Sequence, residues 1–358
     1  MDMKKLFIII LVVCALFGLV AVKKAVRLRQ EAALTASQQA SDVELTKDLT
    51  ASFLSGIVVY EGSEPDKKLV VSKDTQGHWI IASLYGVRAR SQAIDDILNG
   101  LRNLKGELRA DSKDVLADFG IEDAKGLHVI LESEGKTSLS HLVVSLKNPQ
   151  LRKSFVRRAG STQVVLVNKD VPGFFHIFDN EGVNAEFLAD LKLFTFETKD
   201  IKKIIIAGKG ALVFTRNESW NMEPAPGKQE TLDQEAVNRL VSDVLNMNAR
   251  EVVDPAGTSY GFDKPLLTMV MEDAAGNKPV QLEVGNIVGQ GKGYYIRVPP
   301  AKFVYKINED EIGNIKKDRG AFLKVPEPVK PAPAAPAKPA ASPAKPATAP
   351  APAAGKKH

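Results

Sequence analysis

The sequence predicts an α+β body built as a tandem duplication, each copy a mostly antiparallel sheet with one packed amphipathic helix, behind an N-terminal transmembrane helix. Three observations lead there: an uncharged apolar run near the N-terminus, features that recur at one interval, and closely spaced strand-like segments within each recurrence. Trp79 and Trp220 are 141 residues apart, as are Phe119-Gly120-Ile121 and Tyr260-Gly261-Phe262, and Gly135 and Gly276. Phe155-Val156-Arg157 precedes Tyr295-Ile296-Arg297 by 140, and Val164–Asp170 precedes Val304–Asp310 by the same interval. Five features in one order at nearly one offset mark an internal repeat.

The elements follow in chain order. Leu6–Val22 is seventeen residues without a charge, and as a helix it spans about 25 Å, the short end of what crosses a bilayer. Lys4, Lys5, Lys23 and Lys24 flank it and can snorkel to both interfaces. Lys23-Lys24 stands where a cleavage site needs small residues, and Val13 stands where a lipidated Cys14 would need one; the run therefore reads as an uncleaved anchor over residues 1–22. Two basic residues precede it and four follow, so the flanks alone leave its orientation open. Residues 23–50, basic and then Ala/Ser/Gln/Thr-rich, read as a juxtamembrane linker.

Repeat 1 (51–182) and repeat 2 (183–324) each open with a hairpin, Ile57–Tyr60 with Leu69–Lys73 and Ile204–Ile206 with Ala211–Thr215. A short strand carrying the tryptophan comes next. One amphipathic helix then follows, Ala93–Leu104 in the first copy and Ala236–Met247 in the second, with apolar residues at three- and four-residue spacing. Ser91 is a candidate cap for the first, Thr231 or Asp233 for the second. After the aromatic-Gly turn come four strands per copy, 127–134, 139–146, 154–158 and 163–168, then 267–273, 279–285, 293–298 and 303–307. Short turns between them imply antiparallel pairing. Ala185–Leu193 joins the copies. Residues 325–358 hold ten of the twenty prolines and read as an extended, disordered Pro/Ala/Lys-rich tail.

Charge narrows the role. Residues 1–30 carry +5 and the tail +4 of a total of +5, which leaves −4 on the body. A slightly acidic body is a poor match for a phosphate backbone, so nucleic acid is not an expected partner. A single cysteine, Cys14, allows neither an internal disulfide nor a Cys-based metal site.

No catalytic constellation emerges. Gly135-Lys136-Thr137 lacks the upstream glycine of a phosphate loop and joins two strands; Gly289, Gly291 and Gly293 resemble a dinucleotide loop only in glycine count. Of the five histidines, His128 and His141 fall on neighbouring strands and can face each other, without a carboxylate or thiol to complete a metal site. His176 with Asp179 could orient an imidazole, but no nucleophile elbow accompanies them. Asp95-Asp96, Glu122-Asp123 and Glu309-Asp310 are adjacent pairs, which diverge and read as solvated. Trp79 and Trp220 read as core residues. The sequence thus points to a protein that is not an enzyme and needs no cofactor or metal, with no catalytic residue to name.

Trp220, the helix 234–247, Tyr260–Pro265 (YGFDKP) and the glycine-rich segment before Tyr294-Tyr295-Ile296-Arg297 resemble the bacterial family named domain of unknown function 4340, over roughly 51–324. Copy one departs from the pattern: Phe119-Gly120-Ile121-Glu122 lacks the proline. The resemblance implies a membrane-anchored protein often encoded beside ABC-type export permeases and gliding-like auxiliary subunits, and no site residues. It favours a body on the periplasmic side of the cytoplasmic membrane. The expectation is a non-enzymatic auxiliary or binding subunit with an ABC-type permease or another auxiliary subunit as partner. The alternatives are an envelope hydrolase of unrecognised site and a membrane-to-wall scaffold.

Overall fold

The computed structural model describes residues 42–46, 53–147, 152–178, 182–208, 210–223, 230–278, 280–289, 293–313 and 315–324. The anchor, most of the linker and the tail lie outside the described residues. Among the described residues no helix is long and apolar enough to cross a membrane.

The chain folds into two antiparallel sheets with few helices, an α+β architecture. The first has ten strands: β1 (Asp42–Glu44), β2 (Leu54–Glu61), β3 (Leu69–Lys73), β4 (Trp79–Ile81), β5 (Val87–Arg88), β6 (Lys105–Asp111), β7 (Leu127–Ser133), β8 (Ser138–Val144), β9 (Ser154–Arg158) and β10 (Gln163–Val167). The second has eight: β11 (Lys203–Ala207), β12 (Leu212–Arg216), β13 (Trp220–Met222), β14 (Glu251–Val253), β15 (Leu267–Glu272), β16 (Val280–Ile287), β17 (Gly293–Arg297) and β18 (Val304–Asn308). Read from β6, the first sheet runs β6-β10-β9-β8-β7-β2-β3-β4; read from β14, the second runs β14-β18-β17-β16-β15-β11-β12-β13. Strand for strand the order is the same, and the first sheet adds β1 at one edge and β5 at the other.

Each sheet carries one long helix between the tryptophan strand and the strand that pairs with the last of the meander. Helix α1 spans Ser91–Leu101, with Ile94, Ile97, Leu98 and Leu101 buried. After the short helix α2 (Leu116–Phe119), α3 spans Gln234–Leu245 and buries Val237, Leu240, Val241, Val244 and Leu245. Both start two residues earlier and end earlier than the apolar spacing suggests. In the first, Asn103 turns at φ 50°, so Leu104, fully within the apolar stripe, is buried as the chain enters β6 instead. Ser91 is the first helical residue and Arg90 precedes it without a side-chain cap; Asp233 does cap α3, accepting from the N–H of Glu235 and Ala236. The final short helix, α4, is Glu309–Gly313.

Residues 42–46, within the segment read as a linker, belong to the first sheet. β1 pairs with β6, and Leu45 N–H donates to Leu104 O at 2.7 Å. Thr46 is buried; its hydroxyl donates to Leu101 O at 2.6 Å and accepts from Leu104 N–H at 2.8 Å. The connector between the sheets pairs antiparallel with the chain after α3 in the second copy: Leu193 N–H donates to Met247 O at 3.2 Å, and Ala249 N–H to Leu191 O at 2.8 Å. Bridges Ala89–Ala189 and Lys192–Asn248 tie this connector to both copies. One contiguous apolar core runs through both sheets and helices, and a satellite core of Leu116, Ile121, Val143 and Val164 sits beneath α2.

Candidate binding site

The sequence candidates separate clearly once placed in the fold. Gly135-Lys136-Thr137 is a tight turn between β7 and β8, with Gly135 at φ 79° and Lys136 at φ 60°. Gly293 opens β17, where an added Cβ would come within 2.1 Å of Ile307 O, so strand packing alone explains that glycine; Gly291 lies outside the described residues. Trp220 is buried and its indole N–H donates to Asn238 Oδ1 at 2.9 Å, whereas Trp79 is only half-buried against the core. Asp95, Asp96, Glu309 and Asp310 are exposed. His176 stacks on Phe187 at 4.4 Å, and Asp179 lies outside the described residues.

His128 and His141 do meet. His128 Nε2–H donates to Asp123 O at 2.8 Å, which leaves its Nδ1 to accept from His141 Nε2–H at 2.9 Å. Tyr60 stacks on the His128 ring at 4.6 Å. Burial, then the neighbouring His128 and Arg157, push His141 below the usual imidazole range. Arg157, only 2% exposed, donates to Ile121 O at 2.7 Å and pairs with the Asp123 carboxylate. This network pins the loop from α2 to β7 onto the outer face of the first sheet. Among the described residues no group of three or more His, Cys, Asp or Glu could hold a metal.

The second copy holds a cleft of about 410 Å³ at the end of its sheet, a size typical of small-molecule sites. Its floor is apolar and buried: Ile206 and Leu212 from the β11–β12 hairpin, Leu267 on β15, Val284 on β16, Tyr294 on β17 and Ile315 beyond α4. Two aliphatic side chains stand on the rim in water, Leu266 at 52% and Ile287 at 53% exposure. A register shift between Val284 and Ile287 bends β16 outward and carries Ile287 to that position. Lys316, Lys317 and Asp318 complete the rim. Lys316 Nζ donates to Tyr294 Oη at 2.5 Å and lies 4.6 Å from the centre of that ring.

The equivalent end of the first sheet is closed. By register and spacing, Leu266 corresponds to Gly126, Ile315 to Phe175 and Lys317 to Ile177. Phe175 and Ile177 are buried. Gly62, at the tip of the first hairpin, donates its N–H to Gly126 O at 2.9 Å; a Cβ there would fall 1.9 Å from Asp123 O, so the close seal depends on glycine. None of this was readable from motifs. The signal that could have found it is the alignment of Val171–Phe178 with Glu311–Asp318, in which apolar residues give way to charged ones.

No curated protein and no solved structure is significantly similar to the chain. One family model does match, over residues 79–265 and 231–324, the span holding Trp79, both long helices, the aromatic-Gly turns and the cleft. The chain belongs to the family described as Domain of unknown function (DUF4340).

Proposed function

We propose that the chain is a non-enzymatic, membrane-anchored envelope protein whose body faces the periplasm and serves as an auxiliary or binding subunit of an ABC-type export or gliding-like system. In this reading the two sheets descend from one duplicated unit, the first kept closed and the second opened for binding. The observation that carries it is the cleft of the second copy, an apolar floor with Leu266 and Ile287 left in water on its rim. Exposed aliphatic pairs beside a preformed apolar floor suit recognition by burial of surface. The shared strand order supports the duplication, and the uncharged run Leu6–Val22 supports the anchor.

The test is brief crosslinking in cells at native expression level, mild-detergent extraction and identification of partners by mass spectrometry. An ABC-type permease or its auxiliary subunit should be recovered, with crosslinks in the second copy. Recovery of wall fragments alone, or of no membrane partner, refutes the proposal.

A further inference from the structure

The cleft of the second copy has a chemistry of its own. Its floor offers aliphatic carbon and one aromatic ring, without a buried charge. Cations gather at one side of the mouth: Lys316, held over Tyr294, and Lys317 next to it, against the single carboxylate of Asp318. Lys316 donates to the Tyr294 oxygen, which leaves the phenol proton free to donate to an anion at the mouth. Apolar depth with a cationic, hydrogen-bonding entrance matches an amphiphile whose tail is aliphatic and whose head is an anion.

Comparison of the two copies sharpens this. The positions that seal the first sheet, Phe175 and Ile177, are occupied in the second by the shorter Ile315 and by Lys317. Between the copies, a buried aromatic–aliphatic pair in the first stands where the second has a shorter aliphatic residue and an exposed charge. At about 410 Å³ the cleft is near the lower end of ligand-site volumes, suited to one acyl chain and too small for two.

We propose that this cleft binds a single-chain anionic amphiphile of the fatty-acid class, the chain lying on Leu212, Leu267 and Val284 and the carboxylate at Lys316 and Lys317. The inference rests on the reading of the chain as a binding subunit and names the ligand class of that same cleft.

Full-length protein in phosphatidylcholine nanodiscs, irradiated with a diazirine-bearing palmitate, tests it, with labelled peptides mapped by mass spectrometry. Label should fall in 266–272, 280–287 or 315–318, be competed by palmitate, and spare 171–178. Leu266→Asp combined with Ile287→Asp should lower labelling about tenfold or more; both sites are half exposed, and an unchanged melting temperature verifies the fold. Lys316→Glu with Lys317→Glu should weaken competition by palmitate and leave that by hexadecanol unchanged. Label confined to residues 6–22, or equal labelling of wild type and the Asp variant, overturns the inference, and hexadecanol competing as well as palmitate overturns the anionic head. If Leu266 and Ile287 are instead protected by a crosslinked partner protein while no palmitate labels them, the ligand class is wrong and the binding-subunit reading stands; with neither label nor partner, both fall.

Discussion

Replacing Thr46 by valine keeps the shape of a buried side chain and deletes its hydroxyl. In the native protein that hydroxyl serves two backbone groups at the end of α1, the Leu101 carbonyl at 2.6 Å and the Leu104 N–H at 2.8 Å. Thr46 is 2% exposed, so water cannot take over. Each stranded group costs about 1–3 kcal/mol, which sums to about 2–6 kcal/mol before a small gain from the added methyl. Thr46→Ser keeps both bonds and should lose about 1 kcal/mol for the missing methyl group. Urea denaturation of the three proteins gives the magnitudes, and amide hydrogen exchange read by mass spectrometry gives the place: residues 98–111 should lose protection first. A Thr46→Val protein within about 0.5 kcal/mol of wild type, the scatter of neutral surface changes, would refute the assignment of Thr46 as the clamp between the N-terminal strand and the helix.

Other expectations follow from the same geometry. His141 is held below its ordinary pKa by burial and by His128 and Arg157; the unfolded chain takes up that proton first, so stability should be full above about pH 6.5 and fall as pH drops from there to the lowered folded value. Urea midpoints between pH 5 and 7.5 measure this, and His141→Gln should flatten that part of the profile. Phe322 is 1% exposed and packs edge-on to Phe214 at 5.2 Å; Phe322→Ala should cost about 3–5 kcal/mol and make residues 315–324 the first site of limited proteolysis. Gly62→Ala should destabilise the first hairpin, because its Cβ would overlap Asp123 O, with melting temperature as the readout. For orientation, protease added to intact spheroplasts should remove a tag placed on His358; full protection would reverse the periplasmic assignment.

Most strands were legible because their residues alternate. The hairpins and the eight strands after the aromatic-Gly turns lie within two residues of where the pattern puts them, except that β2 begins three residues earlier, at Leu54. β6 was not legible: in Lys105–Asp111 (KGELRAD) the positions alternating with the charges hold Gly106, Leu108 and Ala110, and the one large apolar side chain among them, Leu108, is 37% exposed. It is a strand because β1 and β10 flank it, a tertiary cause that no local period records. β1 and β5 are too short to show a period. At the level of sites, the meeting of His128 and His141 followed from neighbouring strands, whereas the roles of Asp123 and Arg157 depend on how the α2 loop folds back. Asp123 belongs to a carboxylate pair read as solvated, and its side chain is indeed 72% exposed; its guanidinium partner is the part that is buried. The cleft left no motif because it arises from what the second copy lacks relative to the first.

The attachment of the N-terminal strand has a mechanical side. Whatever pulls on the chain ahead of Asp42 meets β1 first. β1 lies antiparallel to β6, and Arg158 ties its end by donating to Glu44 O at 2.7 Å and Leu45 O at 3.1 Å. Ladder bonds run across the strand axis, so tension along β1 loads them together, as a shear, while a sideways tug opens them singly, as a zipper. With Thr46 locked beneath α1, the body resists axial tension at this joint and yields to peeling. Single-molecule pulling from the N-terminus in the two directions should therefore give distinct rupture forces, the axial one higher.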